Sequence, residues 1–294
     1  VIIVLDALNR DIFADIMRDV FALRARVFRD RLGWDVQVNE EGLEIDVFDG
    51  LDPAYVVSLD DEGRVVGTMR LLQTTGPHMM TDVFAELLDG EPALRDPQVW
   101  EATRFCIDTE RLGRGAGRNT VSYVTSEIMV GAFEYAMQAG VTDAVAVIDP
   151  VMNRLMRRSG NAPYDYLGSA KPMGKVVAMA ALMDASAERV ASIREFAGIE
   201  GDVFGTEEEI RTMFTVTHPE VRKTATPVAP AGSASDAAQN PLVALAIYCR
   251  DQLQAARTDE EREAAQALVS EIARSVPKSV WSEIRNALPE HMTA

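Results

Sequence analysis

Val99-Trp-Glu-Ala-Thr-Arg-Phe-Cys-Ile-Asp108, Leu112-Gly-Arg-Gly-Ala-Gly117 and the stretch from Asn119 to Gln138 follow one another near the middle of the chain. The first reads as a strand, the second as a glycine-rich turn, and the third as a long amphipathic helix. Gly140 ends that helix, and Val141–Ile148 reads as the next strand. Working upstream, Tyr55–Leu59 and Val65–Leu72 are strands joined through the Asp60-Asp-Glu-Gly63 turn, a hairpin signal, and a short helix is predicted at Thr81–Leu88. Asn9 is a good N-cap for a helix carrying Ile12, Phe13, Ile16, Met17, Val20 and Phe21 at helical spacing and running to about Gly33. Downstream, a helix at Val151–Ser159 closes at Gly160, followed by a strand near Lys175–Met183 and a helix near Ser186–Phe196. Hairpin-linked strands in the first half, and strands alternating with helices in the second, make an α/β fold: a mixed central sheet with helices on its faces.

The texture changes after Pro219. Residues 224–241 are rich in Ala, Pro, Ser, Thr and Gly without periodicity, and then come three short amphipathic segments at 241–256, 260–275 and 280–288. The expected organisation is a catalytic domain at 1–218, a flexible linker at 219–240 and a helical extension at 241–294. The extension reads as a small helical appendix and equally as an ordered brace for the main domain, and its helices would serve dimerisation or contact with another protein.

The chain has 294 residues, a formal net charge of −17 and only two cysteines, Cys106 and Cys249. A surface this acidic argues against non-specific nucleic-acid binding. Two distant cysteines and three histidines make neither a disulfide framework nor a zinc site. No stretch approaches the roughly 20 unbroken apolar residues of a spanning helix. The apolar start, Val1–Leu5, is short, lacks a basic lead-in and is ended by Asp6, so it reads as a first strand rather than a signal peptide. A soluble, cytoplasmic protein is expected. Against the acidic background, Arg154, Arg157, Arg158, Lys171 and Lys175 form a basic island interrupted by the single acid Asp165, which suits an anionic partner and reads equally as chance clustering.

Three blocks have the residue types for chemistry. In the first, Arg24 and Phe28 share a helix face, Trp34 follows the expected helix end, and Glu44, Asp46 and Asp49 offer three carboxylates in a loop. Spacing alone also allows core aromatics and solvated acids here. In the second, Glu101 and Arg104 lie inside an apolar strand, where unpaired charge is costly. Period two puts Glu101, Thr103 and Phe105 on one face and Arg104 on the other, leaving Arg104 to pair with Asp46 or Asp49; a bulge would instead bring Glu101 and Arg104 together. In the third, the glycines at 113, 115 and 117 precede a helix N-terminus, where backbone N–H groups can approach phosphate oxygens.

That loop is similar to the pyrophosphate loop of GNAT-type acyl-CoA transferases, with Gly115 and Gly117 at the expected offset and Leu112 where Arg or Gln is usual. Together the blocks resemble the acyl-homoserine-lactone (autoinducer) synthase family. Arg24, Phe28, Trp34, Glu44, Asp46, Asp49, Arg70, Phe84, Glu101 and Arg104 match its near-invariant set in order and at closely similar spacing, and the stretch ending Arg157-Arg-Ser-Gly160 is also family-like. The resemblance covers about Val1 to Ile199.

The resemblance implies a GNAT-like fold and a two-stage reaction that uses no cofactor beyond its two substrates. The amine of S-adenosylmethionine attacks an acyl thioester, and the methionyl carboxylate then displaces methylthioadenosine to close a lactone. An α-amine is mostly protonated near neutrality, so a base is needed, and Glu101 is the candidate, acting through a water. Asp46 or Asp49, arranged by Arg24 or Arg104 within a cluster that includes Glu44, Arg70 and Thr103, would favour a sulfonium. Phe28 and Trp34 would cover the adenosyl group or the cationic sulfur. Met79, Phe84, Phe105 and Ala146 are the expected acyl pocket, and Ala146, where many makers of 3-oxo signals carry Thr, favours an unsubstituted or 3-hydroxy chain. Gly115 and Gly117 would suit coenzyme A, whereas Arg154, Arg158 and Lys171 would suit an acidic acyl carrier protein, the commoner donor in the family. The alternatives are a general GNAT acyltransferase, which would have no use for the N-terminal block, and a non-catalytic scaffold, against which intact Glu101 and Arg104 argue.

Overall fold

The computed structural model describes residues 1–113, 117–173, 176–217 and Gln266. The chain divides into Val1–Arg222 and Lys223–Ala294, and the first unit holds the sheet. The expected linker at 219–240 and, apart from Gln266, the expected helices beyond it lie outside the described residues, as do Gly115 and Lys175.

Strands β1 (Ile2–Leu5), β2 (Ala54–Leu59), β3 (Val65–Gln73), β4 (Val99–Ile107), β5 (Asp143–Ile148), β6 (Asp165–Met173) and β7 (Val176–Asp184) form one sheet in the order β1-β2-β3-β4-β5-β7-β6. Every neighbouring pair is antiparallel except β4 and β5, which run parallel. A parallel pair needs a crossover, and α3 (Val121–Gln138) supplies it, capped by Thr120, whose hydroxyl accepts from the Tyr123 N–H. α3 and α5 (Ala187–Ala197) cover one face over Ile2, Val56, Leu71, Ile107, Ala144 and Ile148. On the other face α1 (Ala14–Ala25) packs its Ile16, Val20 and Leu23 on Ile3, Leu5, Tyr55 and Val57. Beside it, α2 (Met79–Asp82) and a 3-10 turn at Ala85–Leu88 bring Met80, Leu87 and Leu88 onto Val99, Val145 and Ala180.

The first helix starts at Ala14 rather than Asn9, because Asn9 is used locally. Its side chain accepts from the Asp6 N–H and donates to the Val4 carbonyl, holding a run of turns ahead of α1. After Ala25 the helix widens into a π-helical turn, Arg26–Arg31, and the Trp34 N–H reaches the Phe28 carbonyl. Such widened turns occur often at functional sites. Sequence periodicity misses β6, an edge strand with a mostly exposed, polar and Pro-containing sequence, and also α6 (Glu207–Thr217). β6 is irregular between Leu167 and Lys171, and there Gly168 takes φ +55° with its α-carbon close against Leu87, so that a Cβ would lie 1.9 Å from the Leu87 carbonyl oxygen.

Two irregularities shape the middle of the sheet. Between Thr68 and Arg70 the β3–β4 register shifts: Thr68 faces Cys106 while Arg70 faces Thr103, so β4 has one extra residue, and Arg104 there has φ +52°. This is the β-bulge, in place of the regular alternation that would turn Arg104 to the opposite face. The β4–β5 ladder stops at Ala102↔Ala146, although β4 continues to Ile107 and β5 to Ile148. The paired strands therefore part into a wedge on the C-terminal side of Ala102.

Candidate active site

Below that bulge three arginines and three carboxylates interlock. Arg24, at the end of α1, is fully buried, forks onto Asp49 (2.8 and 3.0 Å) and gives its Nε to Glu44. Arg70, on β3, is also fully buried. It donates to Asp46 (2.6 and 3.0 Å), to Asp49 (2.8 Å) and, through Nε, to the Thr103 hydroxyl (3.0 Å). Arg104 reaches Glu44 (3.2 Å) and Asp46 (2.7 Å). The acids are set by their own turn: Asp46 caps the 3-10 segment Val47–Leu51, accepting from Phe48 and Asp49, and Asp49 accepts the Asp46 N–H at 2.7 Å. Of the two pairings expected for Arg104, Asp46 is present and Asp49 is not; Asp49 is taken by Arg24, Arg70 and the Tyr55 hydroxyl (2.7 Å).

Removing six charges from water would cost several kcal/mol each if they were alone. Here the cations and anions balance and every carboxylate is held by guanidinium donors, which suits a rigid platform. Burial pushes the Asp49 carboxyl up, but the Arg24 bonds and the Arg24 and Arg70 charges outweigh it and hold Asp49 well below the usual range. Burial and the Asp49 charge drive the Tyr55 phenol well above its ordinary value. Tyr55 is a neighbour of the cluster that the sequence reading does not single out; a hydroxyl on a mostly apolar strand, which also carries Ser58, is its only signal.

Glu101 lies apart from this network with no exposed surface. Its Oε2 accepts the Met79 N–H at 2.7 Å, whereas Oε1 is buried with no partner among the described residues. Burial raises its pKa to about 7, against the lowering effect of the Met79 and Met80 N–H groups and Arg70. The Met79 side chain turns back to the platform, its sulfur 3.3 Å from Arg70 Nη2 and 3.5 Å from Arg104 Nη1. Met79 thus touches both Glu101 and Arg104, although the bulge does not pair those two directly. Phe28, buried, stacks on Trp34 (centroids 5.1 Å apart, 13° between planes), and the Arg104 guanidinium lies over the Phe28 ring at 5.6 Å. Trp34 remains 43% exposed, a roof open on its outer face.

The four residues expected to line an acyl pocket are not brought together. Met79 and Phe84 cluster with Phe48 and Leu72 on the Glu101 face, while Ala146 and Phe105 belong to the core under α3 on the other face. The bulge at Arg104 takes Phe105 out of step with Glu101 and Thr103, while Ala146 pairs with Ala102 and so shares the face opposite Glu101. Lys171, expected to contact a carrier or phosphate, is engaged within the fold by Asp89 (2.7 Å) and the Glu86 carbonyl. Arg154 and Arg158, on α4 (Pro150–Arg158), are exposed. Beside them, Arg157 donates to the Tyr166 hydroxyl (3.2 Å) and Tyr166 to Asn153 (2.8 Å), at a cavity of about 240 Å³ between α4 and the β6–β7 hairpin. Gly117, with φ +121°, adopts a backbone that favours glycine ahead of α3. Among the described residues no group of His, Cys, Asp and Glu is placed to hold a metal, and no helix is long and apolar enough to cross a membrane.

A mixed sheet whose parallel central strands part beside a buried carboxylate defines an acyltransferase of GNAT-like fold. The autoinducer synthase family matches residues 9–193, and the chain belongs to that family. A probable acyl-homoserine-lactone synthase of Sinorhizobium fredii is 36% identical over 181 residues, covering 62% of this chain and 86% of that protein. The solved structure of MesI, described as a CoA-dependent acyl-homoserine lactone synthase, aligns with a TM-score of 0.60 at 26% identity over 69% of this chain and 98% of its own. The synthase LasI aligns with a TM-score of 0.58 at 30% identity, over 69% and 98% of the two chains. The protein is accordingly an acyl-homoserine-lactone synthase, which acylates the amine of S-adenosylmethionine from an acyl thioester and lactonises the product into a quorum-sensing signal.

Proposed function

We propose that S-adenosylmethionine binds over the three-arginine platform, with Glu101 as the base and the acyl thioester in the β4–β5 wedge. The observation that carries this reading is the contrast between a fully engaged, charge-balanced cluster and a neighbouring carboxylate raised to about 7 with one oxygen unpartnered. Among the described residues Arg104 Nη1 is the guanidinium nitrogen partnered by a sulfur alone, so it has donors to offer the methionyl carboxylate. Asp46, at the cluster's edge with its side chain 15% exposed, is better placed than the enclosed Asp49 to attract the sulfonium. The Phe28–Trp34 stack, with Trp34 open, suits the adenosyl group.

In the first stage the amine lone pair attacks the thioester carbonyl as Glu101 takes an amine proton, directly or through a water, and the thiolate leaves with the electrons of the C–S bond. Beyond Ala102 the β4 backbone has no ladder to β5 and is free to polarise the carbonyl. In the second, a carboxylate oxygen attacks the carbon next to the sulfonium; that C–S bond breaks, and neutral methylthioadenosine departs. Both substrates are already activated, so no step calls for a cofactor. An acyl carrier protein is the preferred donor, because the exposed Arg154 and Arg158 of α4 offer its acidic surface a cationic face. Mass spectrometry of extracts from a signal-negative bacterium expressing the protein or its Glu101→Gln variant tests the reading. Lactone from the intact protein only supports it, and equal lactone from both removes Glu101 from the base role.

A further inference from the structure

Resting on that reading of Arg104, we propose that Met79 is a positioning residue whose thioether holds the substrate-binding guanidinium in place until a substrate carboxylate replaces it. The geometry singles this residue out. Every guanidinium nitrogen of Arg24 and Arg70 has an oxygen partner, as do Nε and Nη2 of Arg104. Among the described residues Arg104 Nη1 has only Met79 Sδ, at 3.5 Å, and the same sulfur lies 3.3 Å from Arg70 Nη2. The sulfur is held on both sides. The Met79 N–H is tied to Glu101, its carbonyl accepts from Val83 and Phe84, and the side chain is buried among Phe48, Leu72 and Phe84.

A thioether is a weak acceptor. It orients the Arg104 fork without compensating its charge, so a carboxylate arriving at Nη1 exchanges a poor partner for a strong one. A carboxamide or carboxylate at position 79 would engage the guanidinium before substrate arrived, and a hydrocarbon would leave it unaimed. Met79 therefore belongs to the amino-acid end of the site rather than to an acyl-chain wall, which any apolar residue of its size would serve.

The experiment is steady-state kinetics of Met79→Leu and Met79→Gln, with KM measured separately for S-adenosylmethionine and for the acyl donor, and thermal melting alongside. Leucine conserves volume, so it tests the sulfur alone. We expect Met79→Leu to raise KM for S-adenosylmethionine about fivefold, because a guanidinium no longer aimed by the sulfur must be ordered as the carboxylate binds, with kcat and the donor KM held. Met79→Gln should raise it further, because its amide oxygen competes with the incoming carboxylate. In an Arg104→Gln background Met79→Leu should add nothing, since it acts through Arg104. A wild-type KM for S-adenosylmethionine in Met79→Leu, or a change confined to the donor KM, overturns the proposal. If Arg104→Gln itself leaves that KM unchanged, the assignment of Arg104 falls first, and the role of Met79 falls with it. If Arg104→Gln raises it and Met79→Leu does not, only the role of Met79 is lost.

Discussion

Glu101 and Asp49 are buried carboxylates of one site in opposite states. Asp49 accepts from Arg24, Arg70 and Tyr55 and stays ionised well below the ordinary range, whereas Glu101 accepts at Oε2 alone and is raised to about 7. Two environments separate two acids, one held as a fixed charge and one raised to where a proton exchanges near neutrality. The division follows from the loop and the strand. The turn at Asp46 gathers its carboxylates toward arginines from two other elements, while β4 delivers Glu101 to a mainly apolar surround of Met79 and Met80.

As a base, Glu101 must be ionised. We expect kcat/KM to rise with pH through an acid limb near 7, the value to which burial raises this group. Glu101→Gln should lower kcat by about 10²–10⁴, the usual contribution of a positioned base. A pH–rate profile of the two proteins reads both, and an unchanged acid limb in the variant would assign the limb to another group.

The same group makes a stability prediction of definite sign. Its pKa rises on folding from 4.5 to about 7, so across that window the native state holds a proton that the unfolded chain has released. Stability from this group is present below 4.5 and is lost as pH rises through 7. Glutamine keeps the acceptor for the Met79 N–H without the charge. Glu101→Gln should therefore be more stable than the parent at pH 8, by about 3 kcal/mol, and indistinguishable from it near pH 4. Urea midpoints at the two pH values decide the matter.

Asp49→Ala leaves both Arg24 and Arg70 buried without a full set of partners. Breaking a buried ion pair from one side costs about 3–5 kcal/mol, so a large fall in the urea midpoint is expected. Asp30, paired with Arg29 in the open, provides the control; its alanine variant should leave the midpoint where it is. Equal effects from the two variants would mean that the cluster contributes no more than a surface pair.

Much of the central fold is legible in the sequence, because hairpin signals, glycine stops and helical periodicity act locally. The Asp60-Asp-Glu-Gly63 turn and the Gly140 stop fall where the pattern puts them. What escapes is set by tertiary contact. β6 has no apolar alternation because it lies at an edge, and Asn9 looks like a cap but serves a turn. In the site, Arg24, Glu44, Asp46, Asp49, Arg70 and Arg104 do come together. Their grouping was legible through family likeness, since nothing local says that Arg70 faces Asp46. The bulge at Arg104 could be raised as an alternative but not chosen, and it decides why Phe105 leaves the Glu101 face.

Gly168 is a position where sequence gives no warning and the backbone leaves no choice. With φ +55° and a Cβ position 1.9 Å from the Leu87 oxygen, alanine is both strained and obstructed. Gly168→Ala should cost about 1–3 kcal/mol and loosen the seat of the Ala85–Leu88 turn, which packs Leu87 and Leu88 against the sheet. Hydrogen exchange should show lost protection there while β1–β3 keep theirs. Unchanged exchange and an unchanged melting temperature would show that the contact yields without cost.

The donor question turns on charge that the fold leaves unused. Lys171 is neutralised by Asp89, so among the described residues the basic island reduces to α4, where Arg154 and Arg158 are exposed and Arg157 is partly tied to Tyr166. An acyl carrier protein would meet these guanidiniums across a wide acidic face. Arg154→Glu with Arg158→Glu should then raise KM for an acyl carrier substrate about tenfold or more at low salt, since like charge across an interface costs several kcal/mol. The penalty should shrink as salt approaches a Debye length of about 3 Å at 1 M. KM for the matching acyl-CoA and for S-adenosylmethionine should stay put, because neither needs that outer helix face. Equal losses with both donors would place the two arginines at the thioester's phosphate rather than at a protein surface, and no loss with either would leave the island as solvated charge.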